Sequence, residues 1–206
     1  MKTTSGSSIN SRRTRLSRRQ EVVDGALRLF AERGYDAVSL TAVAESLGVQ
    51  RTQLYRWFRN KREVFDAAII LITERLSAKL TEIRAATPSS AERLRRLCFA
   101  AAAIFIDNRP FLIAIVDFVT SQLRAGHDMA RRMDRFTVGF KRALRTLVFQ
   151  GVRSGEFRSD LSVRLATELL FSQFESIALK SATDRSLSLS DLTDRIDLLI
   201  ESFATR

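Results

Sequence analysis

The tightest constraint on this chain lies in residues 39–61, SLTAVAESLGVQRTQLYRWFRNK. The Ser39 hydroxyl can accept from an unpaired N–H one turn on, which predicts a helix start. Leu40, Val43, Ala44 and Leu47 follow at helical spacing and make one apolar face. Gly48 stands where a left-handed residue ends such a helix. Val49 restarts the apolar pattern, and Leu54 and Phe58, one turn apart, continue it. Gln50, Arg51, Thr52, Gln53, Tyr55, Arg56 and Trp57 are left off the buried stripe. One helix that braces, a tight turn, and a second helix with polar, basic and aromatic residues facing outward is the layout of a helix–turn–helix, here over about residues 39–58.

The rest of the chain is consistent with an all-α fold. Two hundred and six residues suit one domain or two small ones with a substantial core. Two prolines and eight glycines are too few for the turns of an all-β chain. The longest uncharged apolar run, residues 98–106, is too short to span a bilayer. Residues 1–20 lack the apolar core of a signal peptide. Both observations lead to the expectation of a soluble, cytoplasmic protein with no membrane partner. Cys98 has no second cysteine to pair with, which agrees with a reducing compartment. One histidine, His127, and one cysteine cannot build a His/Cys metal site. There is no glycine-rich phosphate loop and no nucleophile elbow. No catalysis, metal or cofactor is expected.

Charge is distributed unevenly. Residues 1–62 hold thirteen Lys/Arg against five Asp/Glu, a net +8, whereas residues 63–206 hold twenty-one against eighteen, a net +3. The excess lies with the helix–turn–helix, so a polyanion is expected there. Residues 1–16 read as a disordered basic arm, able to follow phosphates or merely to add attraction. A first helix is predicted from about residue 18 to 33, on Val22, Val23, Ala26, Leu27 and Phe30. Asn60 and Glu63 have capping-box spacing and open a long fourth helix to about residue 84. Thr87–Pro88 breaks the pattern, and five further helices follow, about nine in all. The expected division is a three-helix DNA-binding domain over residues 17–65 and a helical domain over residues 66–206.

Residues 17–65 resemble the N-terminal DNA-binding domain of the TetR/AcrR family of bacterial transcriptional regulators. The landmarks are Ala26, Leu29, Phe30 and Gly34–Tyr35, then Ser39, Val43–Ala44 and Gly48–Val49, then Leu54–Tyr55, Phe58, Lys61 and Phe65. Thr52, Gln53 and Trp57 depart from the residues usual at their places in that family. The resemblance implies a sequence-specific regulator, a repressor released from a pseudo-palindromic double-stranded DNA operator by a small apolar or amphipathic effector. It also implies that residues 66–206 are an effector-binding and dimerisation domain, with a homodimer through the last two helices, about residues 162–180 and 190–205, although apolar helices serve equally as intramolecular core. The alternative is a helical protein–protein interaction module or a non-specific nucleic-acid-binding protein.

The candidate DNA contacts are Ser39, Thr41, Gln50, Arg51, Thr52, Gln53, Tyr55, Arg56, Trp57 and Lys61. Arg51 can donate twice to guanine, and Gln53 can pair with adenine through one donor and one acceptor. Thr52 suits a thymine methyl or a phosphate. In the family, Tyr55 and Lys61 match residues that touch the backbone. Trp57 is open to two readings, DNA positioning or packing against the first helix. Phe105, Phe111, Phe118, Phe136, Phe140, Phe171 and Phe174 are candidates to line an effector cavity, with plain core packing as the other reading. Asp107, Asp117 and Glu175 are possible partners for a cationic ligand.

Overall fold

The computed structural model describes residues 5–184 and 188–205, with backbone only for residues 5–16, 130–132, 135–136, 178 and 181–183. Among the described residues the chain is all-α: α1 Ser5–Arg33, α2 Leu40–Ser46, α3 Arg51–Trp57, α4 Lys61–Ala86, α5 Ser90–Asp107, α6 Arg109–Arg124, α7 Ala130–Arg153, α8 Val163–Thr183 and α9 Leu189–Glu201. No single helix among these residues is long and apolar enough to cross a membrane.

The predicted starts have local causes. The Asn60 side chain accepts from the Glu63 N–H at 3.0 Å, and the Glu63 carboxylate accepts from the Arg59 N–H at 2.9 Å. The Ser89 hydroxyl accepts from the Glu92 N–H at 3.2 Å to open α5. Pro110 occupies the first turn of α6, where a missing N–H costs nothing. The first helix differs from expectation. It begins at Ser5, so residues 5–16, expected to be disordered, have helical backbone. Residues 7–20 contain neither glycine nor proline. Once α1 is nucleated on its buried stripe, each residue added gains a bond. Residues 1–4 of the expected arm lie outside the described residues.

The N-terminal core joins four helices. Val22, Val23, Ala26 and Phe30 of α1 meet Val43 and Ala44 of α2, Leu54 of α3, and Val64 and Phe65 of α4, all buried. Gly25 lets α1 and α2 approach, because a Cβ there would stand 2.5 Å from Leu47 Cδ2. Phe118 of α6 completes this core from outside it. Its ring stacks on Phe65 at 4.8 Å and meets Tyr35 edge-on at 4.9 Å. The C-terminal core is built on Leu94, Leu97, Leu144, Leu147, Leu170, Ile177 and Ile196. Cys98 is sealed within it, and burial drives its thiol well above the ordinary range, which makes it a poor nucleophile.

Glu156, in the α7–α8 connection, fastens α7 to the start of α5. Its carboxylate accepts from the Ser90 N–H at 2.9 Å, the Ala91 N–H at 3.0 Å, and the hydroxyls of Ser89 and Ser154. Partial burial alone would raise this carboxyl, but bonds from Ser89, Ala91, Ser90 and Ser154 outweigh it and bring it from 4.5 down to about 2. Glu156→Gln removes the charge from a helix N-terminus and should cost about 1–2 kcal/mol, a fall of roughly 3–6 °C in thermal midpoint. The stabilisation is complete above about pH 4.5 and is lost as pH falls toward about 2. Thermal melts of both proteins across that window should therefore converge as the pH drops.

Candidate nucleic-acid interface

The turn between α2 and α3 rests on Gly48, whose φ is +61°. The Val49 N–H closes it by donating to the Ala44 carbonyl at 2.9 Å. The Ser39 side chain caps α2 by accepting from the Ala42 N–H at 3.1 Å. Only Leu54 of α3 is buried, with Val49 and Phe58 buried on either side. The other face of α3 is open. Gln50, Arg51, Thr52, Gln53, Tyr55 and Arg56 are all exposed, Tyr55 by 49%. Ser39 is exposed beside them and Thr41 is half-buried. Trp57 is half-buried and packs on the core, which favours its structural reading.

Two charged candidates are already engaged. Arg51 Nη2 donates to the Glu45 carboxylate across the turn, and both side chains remain well exposed. Lys61 Nζ donates to the carbonyls of Tyr35 at 2.6 Å and Asp36 at 3.2 Å, with its ammonium 4.2 Å from the Tyr35 ring centre. It therefore holds the α1–α2 loop, and of its three N–H donors two are used there. From the other side of that loop, Asp117 of α6 accepts from the Tyr35 N–H, and the Ser121 hydroxyl donates to Asp36 at 2.8 Å. Burial raises the Tyr35 phenol to about 12, so it stays protonated. Arg19 stacks its guanidinium over Phe58 at 4.7 Å, placing a cation of α1 next to the end of α3.

A cavity of about 400 Å³ lies among α4, α5, α6, α7 and α8. Phe105, Phe111, Phe140, Phe171 and Phe174 line it, with Ile72 and Leu76 of α4 and Ile115 of α6. Phe140 meets Phe174 edge-on at 4.9 Å. Two expected lining residues differ. Phe118 points into the N-terminal core, because the α6 turn that carries it faces Phe65 of α4 and Tyr35 of the α1–α2 loop. The Phe136 side chain lies outside the described residues. Of the three carboxylates considered for a cationic ligand, only Glu175 lines the cavity; Asp117 is spent on the Tyr35 N–H and Asp107 is exposed elsewhere. Lys141, also in the lining, is 3.3 Å from Glu168 and lies over the Phe171 ring at 4.3 Å. Among the described residues no group of His, Cys, Asp and Glu is arranged to hold a metal ion.

Sequence reasoning missed Glu45, Asp117 and Ser121 as parts of this machinery. Glu45 and Arg51 are six residues apart, a spacing that pairs side chains in neither a helix nor a strand. Asp117 and Ser121 meet the loop across more than eighty residues.

A buried brace helix, a glycine turn and a second helix exposed along one face define a helix–turn–helix DNA-binding protein. Residues 22–68 match the model of bacterial regulatory proteins of the tetR family. The HTH-type transcriptional repressor KstR2 of Mycobacterium tuberculosis is 30% identical over 149 residues, covering 72% of this chain and 74% of that one. The solved structure of the ketosteroid transcriptional regulator KstR2 of Mycobacterium tuberculosis superposes with a TM-score of 0.71 at 21% identity, over 92% of this chain and 96% of that one. The transcriptional regulator FadR of Bacillus subtilis, solved in complex with stearoyl-CoA, gives 0.69 at 21% identity, over 88% and 97%. The chain belongs to the TetR family of bacterial regulatory proteins and is a DNA-binding transcriptional regulator.

Nothing stands within 4 Å of where a Cβ on Gly48 would be, so Gly48→Ala meets only the backbone penalty of a left-handed conformation, about 1–2 kcal/mol. Thermal melts should show Gly48→Ala below wild type and Gly48→Asn between the two, since Asn tolerates that region better.

Proposed function

We propose that the protein is a homodimeric repressor that grips a pseudo-palindromic operator through α3 and is released by a small apolar or amphipathic effector bound among α4–α8. The observation that carries the reading is the open face of α3, where Gln50, Arg51, Thr52, Gln53, Tyr55 and Arg56 are exposed together while Leu54 anchors the helix from behind. Residues 17–65 act as the reading unit and residues 66–206 as the sensing and pairing unit. Arg51 and Gln53 read base edges, while Ser39, Thr41, Thr52, Tyr55 and Arg56 position the helix on the backbone. Lys61 contributes its remaining N–H to a phosphate at the start of α4, whose own N-terminal N–H groups favour an anion. Trp57 supports α3 from its inner side.

One recognition helix touches too few bases to find a site in a genome, so a two-fold pair is required. Pairing through α8 and α9 is supported by Leu165, Leu169 and Leu198, which are 50%, 51% and 71% exposed. Such apolar surface on adjacent helices is what a second copy would cover. The cavity volume falls in the range of small-molecule sites, and its phenylalanine-rich wall suits an acyl chain or fused rings. FadR, solved with stearoyl-CoA, and KstR2, a ketosteroid transcriptional regulator, point to the same chemistry.

Release is a matter of linkage: the effector must favour an arrangement that fits DNA poorly. α6 is the element placed to carry it. Phe111, Leu112 and Ile115 line the cavity, and one or two turns later Asp117, Phe118 and Ser121 hold the loop that braces α2.

Selection from random duplexes should yield inverted half-sites; enrichment of no sequence would overturn the reading. With the selected duplex, Arg51→Ala should relax preference at one base pair by about 1–3 kcal/mol, and equal losses on every sequence would remove its base-reading role. The double substitution Asp117→Ala, Ser121→Ala should leave stearoyl-CoA-induced thermal stabilisation intact. It should also shrink the effector's effect on DNA affinity, ordinarily about 5–150-fold, toward none.

A further inference from the structure

We infer that Glu45 is a specificity-determining positioning residue: by holding Arg51 it suppresses binding to arbitrary sequence and sharpens preference at the base pair Arg51 reads. The inference rests on the proposed DNA-reading role of α3.

A carboxylate on a DNA-facing surface is unfavourable by itself, since it repels phosphates. Glu45 nonetheless sits exposed in the last turn of α2, beside the most exposed end of α3. Its partner Arg51 is the first residue of α3, where the helix dipole disfavours a cation. The first turn of α3 contains no acidic residue, and Gln50 makes no side-chain cap. Glu45 supplies the missing anion from the neighbouring helix by accepting from Arg51 Nη2. The pair bridges the Gly48 turn, so it ties the brace helix to the reading helix at their outer edge.

The consequence for recognition follows from the guanidinium. A free arginine has many rotamers and can turn to any phosphate within reach. Such a contact contributes affinity without sequence information. One N–H committed to Glu45 fixes the guanidinium plane and leaves the remaining donors for a base edge. Paired guanine acceptors reward that fixed fork, whereas a phosphate beside Glu45 meets a neighbouring negative charge. Glu45 thus lowers affinity for random DNA more than affinity for the preferred site.

Glu45→Gln tests this with full-length protein, the wild-type-selected duplex, its single-base-pair variants and a random duplex. The variant should bind random DNA roughly threefold more tightly, with a salt slope steeper by about one unit, the size of one added phosphate contact. Its preference at the base pair lost in Arg51→Ala should flatten, while other positions keep theirs. In an Arg51→Ala background, Glu45→Gln should leave base preference unchanged; with Arg51 present, Glu45→Asp should keep part of the discrimination that Glu45→Gln loses. Thermal midpoints should stay within a degree or two, because exposed ion pairs contribute little to stability.

Equal discrimination by wild type and Glu45→Gln would overturn the inference while leaving the DNA-reading role of α3 standing. So would a uniform loss of affinity accompanied by a lower thermal midpoint, since that marks a merely structural brace. A wild-type protein without any sequence preference would overturn both.

Discussion

The loop between α1 and α2 is the constraint on which the rest of the molecule depends. It runs over residues 34–39, and its first half, Gly34 to Asp36, is held from two directions. Lys61 of α4 donates to the carbonyls of Tyr35 and Asp36 from one side. From the other side, α6 reaches the Tyr35 N–H through Asp117 and the Asp36 carboxylate through Ser121. Beneath the loop the rings of Phe30, Tyr35, Phe65 and Phe118 stack into one cluster with centroids 4.8–5.4 Å apart. The position of α2, and through the Gly48 turn that of α3, follows from where this loop sits. Packed aromatic clusters have few alternative arrangements of similar energy, so a displacement of α6 is carried into the loop rather than absorbed.

Through that junction the cavity and α2–α3 share two supporting helices, α4 and α6. The cavity is walled on one side by Phe111, Leu112 and Ile115 of α6 and on another by Ile69, Ile72 and Leu76 of α4. Both helices run on into the N-terminal core, α4 through Phe65 and α6 through Phe118. On the proposed reading, a molecule wedged between them would change the separation of two rods that are both tied to the same loop. The coupling needs no long relay of side chains. Glu156 fastens α7 to the start of α5, two of the other helices around the cavity.

Much of this was legible in the sequence because it is local. The cap at Ser39, the glycine at position 48 and the recurrence of Leu54 and Phe58 act within a turn or two, so spacing alone locates the helices and their outward face. The phenylalanines beyond residue 98 were legible as a group, and five of seven candidates do meet at the cavity. What spacing could not assign was the direction of a single turn of α6. Phe118 follows the same apolar rhythm as Phe111 and Ile115, yet packs on a helix more than fifty residues earlier in the chain. Lys61 was equally ambiguous: one lysine beside a helix start serves a phosphate or a carbonyl, and only the fold brings Tyr35 and Asp36 beneath it. The early start of α1 escaped because composition reports solubility better than it reports the reach of a helix already nucleated.

The charge distribution takes on a different meaning in this light. A net +8 over residues 1–62 guarantees attraction to any nucleic acid, and attraction of that kind weakens steeply with salt while carrying no sequence information. A regulator must then recover discrimination from a surface already biased toward indiscriminate binding. The structure handles its cations accordingly. Lys61 is bound to backbone carbonyls, Arg19 lies over Phe58 and Arg51 is paired with Glu45. Each is held at a defined place instead of sweeping the solvent, so the positive field attracts the duplex from a distance while close contact is limited to geometries these anchors allow. On this reading affinity comes from the number of cations, and selectivity from anchored ones such as Arg51.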